Sequence, residues 1–149
     1  MFADNTSQNI QSIQQSGRRQ FEWALIRGQL GQTWATLTRH RHNLAELRAT
    51  PGEKRAGGHH AGLNTVAINA IRGSEGRTRD FDADFYPLTD NTQGRWVSIY
   101  AAHKRGTALP PVELIRIAET YFVRDGHHRV SVARAIGQEY IEAVVTAWE

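Results

Sequence analysis

The chain contains no cysteine among its 149 residues. No disulfide framework and no thiolate nucleophile can therefore be built from it. Lysine is nearly absent: of 18 basic residues only Lys54 and Lys104 are lysine, and the rest are arginine. Arginine suits planar, two-pronged contact with phosphate, and it is equally what a GC-rich genome encodes. Long apolar runs are missing, which excludes an α-helix able to span a bilayer, and no secretory leader pattern is visible. A cytoplasmic location with no membrane partner is the expectation. A large excess of one charge is missing too, since a formal charge of +3 permits a nucleic-acid partner without arguing for one. The length suits one domain with an appendage, and it is enough for a core that needs no covalent staple.

The first third differs in kind from the rest. Met1 to Gln20 is polar and glutamine-rich, with Ile10 and Ile13 its larger apolar residues after Phe2. From Phe21 to Arg48, Leu30, Trp34, Leu37, Leu44 and Leu47 fall on three- and four-residue spacings, a helical seam. No proline interrupts this stretch. Gly28 and Gly31 mark either a turn between two helices or a weak spot in one, so residues 1–50 read as a long helix or a helical hairpin. The narrow stripe resembles a helix that pairs with another helix, which predicts a homodimer through the N-terminal helices. Packing on the chain's own domain is the equal alternative. Pro51 to Gly62, PGEKRAGGHHAG, reads as a flexible linker, extended to residue 64, before a domain at 65–149. His59 and His60 stand side by side in that glycine loop with no partner ligands at a metal-binding spacing, so no metal site is expected at this pair.

Within the domain, Val66 to Ile71 reads as a strand. It leads into a charged, glycine-bearing loop, Arg72 to Asp82, and then an irregular stretch anchored by Phe81, Phe85 and Tyr86. Asp90, Asn91 or Thr92 can cap a helix reaching Arg105, with Trp96, Ile99, Tyr100 and His103 as its buried face. Pro110-Pro111 fixes an extended entry into a strand, Val112 to Ile117. A tight turn returns the chain as Tyr121 to Arg124. A helix from Arg129 to Ile136 follows, ended by Gly137, and a last strand from Glu139 to Trp148 alternates Ile141, Ala143, Val145 and Ala147 on one face. The fold class predicted is α+β: a small mixed β-sheet with helices, plus the N-terminal helical arm.

Residues Tyr121 to Arg134 read YFVRDGHHRVSVAR. A strand, a glycine turn and a helix opening with imidazoles and a guanidinium form a natural anion cradle. The first N–H groups of a helix point outward and its dipole favours negative charge there. Gly126 lets an anion approach the backbone. His127 and His128 suit neutral donors to phosphate, because the dipole disfavours further positive charge. Arg129 can grip phosphate through two N–H groups. The bland reading has Arg129 paired with Asp125 and both histidines bonded within the fold.

Asp125-Gly126-His127-His128-Arg129 resembles the phosphate-binding motif of the ParB/sulfiredoxin-like fold. Partition proteins carry Gly-Glu-Arg-Arg there, sulfiredoxins Gly-Cys-His-Arg, and ADP- or ATP-dependent free serine kinases Asp-Gly-His-His-Arg, which this chain matches letter for letter. Glu113 to Ile117 and Tyr121 to Arg124 resemble the hairpin before the motif, and the resemblance runs from about Thr65 to Glu149. It is specific for the fold and weak for the reaction. His127 stands where sulfiredoxins place their reactive cysteine, so their chemistry is excluded. In the kinases a glutamate after the first strand is the base, a role that falls by position on Glu75, although RGSEGR departs from the kinase segment. Asp80 and Asp82 are equally placed as base or metal ligand, and Arg77 and Arg79 can hold a second phosphate. The arginine of partition proteins follows a Gln-Pro pair that is missing here.

The resemblance therefore implies three readings. One is a stand-alone ParB-like nuclease-type domain that holds nucleotide or nucleic-acid phosphate at Gly126 to Arg129 and hydrolyses a phosphoester, with Glu75, Asp80 and His127 as catalytic candidates. The second is a small-molecule phosphotransferase. The third is a non-catalytic, nucleotide-switched dimerisation module. Mg²⁺ with ATP, ADP or CTP is the ligand set implied. No helix-turn-helix follows the last strand in these residues, so any DNA partner is expected to be bound without sequence reading.

Overall fold

The protein is described by a computed structural model covering residues 2–38, 45–46, 58–76 and 79–148. Without proline and with few β-branched residues, residues 2–38 form a single unbroken helix, α1 (Phe2–Thr38). Gly28 and Gly31 are not a turn. A Cβ on Gly28 would come within 2.4 Å of the Pro87 carbonyl oxygen, and one on Gly17 within 2.9 Å of the Tyr100 ring. Each glycine costs a helix interior about 1 kcal/mol, and these two let α1 settle closely on its neighbours. Phe21 and Ala24 bury against Trp96, Tyr100 and Val132.

Among the described residues six strands form one mixed sheet: β1 (Ala45–Glu46), β2 (His59–Ala67), β3 (Ile71–Ser74), β4 (Val112–Ile117), β5 (Thr120–Asp125) and β6 (Tyr140–Trp148). Their order is β1-β3-β5-β4-β6-β2. β4 and β5 form a tight antiparallel hairpin, while β4 and β6 run parallel, joined through β5 and α3 (His127–Ala135). The remaining helix, α2 (Gln93–Lys104), lies between α1 and α3. Val66, Ile71, Val112, Leu114, Val123 and Val145 of the sheet pack with Val130 of α3 and with Phe81 and Phe85. The Trp96 indole N–H donates to Ser131 Oγ at 2.9 Å and ties α2 to α3. The architecture is the expected α+β. Among the described residues no helix is long and apolar enough to cross a membrane.

Several local expectations are corrected. Ala45–Glu46, inside the expected helical seam, instead pair in parallel with Gly73 and Ser74. Leu44 and Leu47 lie outside the described residues, as do 51–57 of the expected linker. His59 to Asn64, read as linker, are the first half of β2, paired antiparallel with β6 from Ala147 to Ala143, with a register shift near Gly62. Glycine and histidine carry little strand propensity, so the partner strand supplies the order. Val66 to Ile71 is not one strand. It breaks at a 3₁₀ turn, Ile68–Ala70, where Ile68 N–H donates to the Glu139 carbonyl. Asp90–Thr92 form a 3₁₀ turn before α2, and Thr92 makes no side-chain cap there. On α2, Trp96 and Tyr100 are buried as expected and Ile99 half-buried, but His103 is exposed and Ala101 is buried. α3 begins at His127, two residues earlier than the apolar pattern suggests, so both histidines lie in its first turn.

Candidate functional site at the start of α3

β5 delivers Asp125 to the sheet end, and Gly126 turns the chain into α3 with φ 99° and ψ 26°. That left-handed conformation favours glycine. A Cβ here would also meet Val112 Cγ1 at 2.6 Å, so two independent constraints select the same residue. Val130 N–H makes the first intrahelical bond, to the Gly126 carbonyl at 3.0 Å. The N–H groups of His127, His128 and Arg129 lie ahead of it, in the positions that receive anions. The stretch Asp125 to Arg129 lines a cavity of about 190 Å³, closed on the α2 side by Arg95 and Ile99.

Both imidazoles are buried, at 6% and 7% exposure. The His127 ring stacks on Phe81 at 6.3 Å between centroids, and His128 meets the same ring edge-on at 5.4 Å. His127 Nε2 contacts Ser74 Oγ, at the end of β3. The Ser74 hydroxyl also accepts the Gly76 N–H at 3.0 Å and contacts the Gly76 carbonyl. A serine has one proton to give. That proton has three acceptors in reach, the Gly76 carbonyl, the Val123 carbonyl at 3.4 Å and His127 Nε2. Ser74 is fully buried.

Arg129 lines the cavity, but its guanidinium is engaged by the fold. Nη2 donates to Asp125 Oδ2 at 2.9 Å, and Nη1 reaches the carbonyls of Pro110 and Pro111. The diproline is thereby a docking point for Arg129 as well as an entry to β4. Arg95, exposed on α2, is the other guanidinium at the cavity. Glu75 pairs with Arg124 at 3.0 Å, both partly exposed. Asp82 is buried and its Oδ1 accepts the N–H groups of Asp84 and Tyr86, which shapes the 82–86 turn. Asp80 is half-buried, its carbonyl accepting from Leu88 N–H, and Arg79 is exposed. Arg77 lies outside the described residues. Of the expected residues, the fold brings Asp125, Gly126, His127, His128 and Arg129 to one cavity wall.

Two participants carried no sequence signal. Ser74 is one serine next to the more conspicuous Glu75, and Arg95 is one of many arginines; only the folded contacts single them out. Behind the site, Arg134 donates to the carbonyls of Ile68 and Ile71, each at 3.0 Å, and faces Asp84 at 3.6 Å. Burial lowers its pKa, with Asp84 opposing, and an arginine in this setting still stays charged.

No family profile and no curated protein matches the chain. Among solved structures, the sulfiredoxin of Arabidopsis thaliana is similar at 19% sequence identity, with a TM-score of 0.43, covering 56% of this chain and 82% of that one.

Proposed function

We propose that the protein binds the phosphate of a nucleotide or nucleic acid at the Gly126 turn, as a ParB-like nuclease-type domain that hydrolyses a phosphoester. The observation that carries this is the conformation of Gly126: a left-handed residue at a helix start, with no room for a Cβ, on the wall of a cavity. Such a turn aims backbone N–H groups at an anion without induced rearrangement. Arg95 supplies an exposed positive charge, and Arg129 holds the turn to the Pro110–Pro111 segment. His127 is the imidazole nearest the chemistry, oriented by Ser74, with Glu75 and Asp80 as the carboxylates on the adjoining loop. Arg79 of that loop is the candidate for a second phosphate.

Among the described residues no group of three or more His, Cys, Asp or Glu could hold a metal. A divalent ion such as Mg²⁺ fits here as part of a nucleotide complex, held mainly by the phosphates and water. Calorimetric titration with ATP, ADP and CTP, with and without Mg²⁺, tests the reading. Binding that disappears in Gly126→Ala supports it, and no binding by the parent protein to any nucleotide or to single-stranded DNA overturns it.

One observation favours the phosphotransferase alternative: Glu75 directly follows Ser74, the residue in contact with His127. ATP turnover that requires an added hydroxyl compound would select it. Another favours the nucleotide-switched homodimer: α2 carries Arg95 and Ile99 at the cavity and Trp96 and Tyr100 under α1. Tight binding without turnover, with a change of oligomeric state, would select that one.

A further inference from the structure

α1 is apolar on two opposite faces. At 3.6 residues per turn, Gly17, Phe21, Ala24 and Gly28 share the side packed on α2 and on the loop at Pro87. On the far side Trp23, Ile26, Leu30, Trp34 and Leu37 fall within an arc of about 80°. Among the described residues they are the most exposed large apolar ones of the helix: Trp23 is 65% exposed, Trp34 69% and Leu37 76%. A surface helix ordinarily carries charge on such a face. Between Trp23 and Leu37 the sequence has one charged residue, Arg27, and its guanidinium lies over the Tyr86 ring at 5.1 Å.

The stripe is also palindromic. Its spacings run three, four, four, three about Leu30, as residue numbers 23, 26, 30, 34 and 37 show. We propose that two copies of the chain pair through α1 in an antiparallel, two-fold arrangement centred on Leu30. The two-fold sets Leu30 against Leu30 of the other copy, Ile26 against Trp34 and Trp23 against Leu37. An isologous interface must be self-complementary, and an antiparallel helix pair achieves this only with mirrored spacing. Arg27 falls opposite Thr33, so no charge meets a like charge. Charge depletion with aromatic enrichment is the composition of an interface centre. A buried tryptophan contributes about 150–250 Å², so two of them with three aliphatic residues approach the scale of a stable contact, about 800 Å² per partner. This gives the homodimer of the proposed function its surface and register, and it is independent of the phosphate site.

The cysteine-free chain permits a direct test. Light scattering of the parent protein is expected to give a dimer, and Leu30→Glu, at an exposed position, a folded monomer with unchanged thermal unfolding at low concentration. Leu30→Lys is expected to be monomeric alone and to dimerise when mixed with Leu30→Glu. Under mild oxidation Leu30→Cys forms a disulfide dimer and Leu37→Cys does not. A monomeric parent, a dimer untouched by Leu30→Glu, or self-linking of Leu37→Cys, which would mean a parallel pair, each overturns the proposal. Nucleotide titration of the Leu30→Glu monomer separates the two readings. Binding retained there leaves the cradle standing whatever the fate of the dimer.

Discussion

Ser74 Oγ and His127 Nε2 lie 2.5 Å apart, although 53 positions separate them in sequence. The contact joins the end of β3 to the first turn of α3. It orients the imidazole on the cavity wall from the inside of the protein. Ser74→Ala is expected to remove this buried bond and cost about 1–3 kcal/mol of stability, measurable by urea unfolding. It should also weaken nucleotide binding, because the His127 ring loses its orienting contact. Unchanged stability would show that the hydroxyl is not part of the fold's support.

Gly126→Ala is expected to lose phosphate binding and to destabilise the protein by about 1–3 kcal/mol, from the left-handed backbone and the Val112 clash together. Gly94→Ala on α2 is the internal contrast. Nothing lies within 4 Å of its added methyl and its φ is ordinary, so a gain of about 0.4–1 kcal/mol is expected. Thermal unfolding of the pair reads the opposite signs.

Arg95→Ala should leave stability unchanged, because the side chain is exposed. It should weaken nucleotide binding about tenfold, equivalent to about 1.4 kcal/mol, and flatten the salt dependence of binding. Arg129→Ala should differ in kind. It loses contacts with Asp125, Pro110 and Pro111, so both stability and binding fall. Equal effects of the two substitutions on stability would contradict this division of labour.

Arg134→Met is expected to destabilise by about 3–5 kcal/mol, since the carbonyls of Ile68 and Ile71 lose a buried charged donor. Arg134→Lys should rescue only part, because one ammonium cannot reproduce a guanidinium whose Nη2 serves both carbonyls while its Nη1 faces Asp84. Denaturant unfolding of both variants checks the order.

Much of the fold is readable along the chain. The β4–β5 hairpin, Gly126, α3 and β6 follow one another from Val112 to Trp148, and each is written in short-range patterns: β alternation, a glycine at a forced turn, and 3.6-residue periodicity. β2 was not readable from His59 to Asn64, because its order comes from β6, far along the chain. The 3₁₀ break at Ile68–Ala70 was hidden for the same reason, held by Glu139 and Arg134. At the site, the residue types of the cavity wall were legible as a motif, but their duties were not. Arg129 reads as a phosphate clamp, and its guanidinium holds two carbonyls and a carboxylate.

The amino-acid sequence by itself determined that these residues carry no thiol, that no proline interrupts the N-terminal arm before Pro51, and that a glycine precedes α3. Each of these depends on composition or on neighbours within a few residues. The tertiary structure alone decided that Ser74 meets His127, that Arg95 shares the cavity with Gly126, and that Asp82 serves a turn. The reason is one of distance: backbone preference and periodicity act over a few residues. The pairings that orient a side chain are made across the core, between strands and helices dozens of positions apart, and they exist only once the chain has packed.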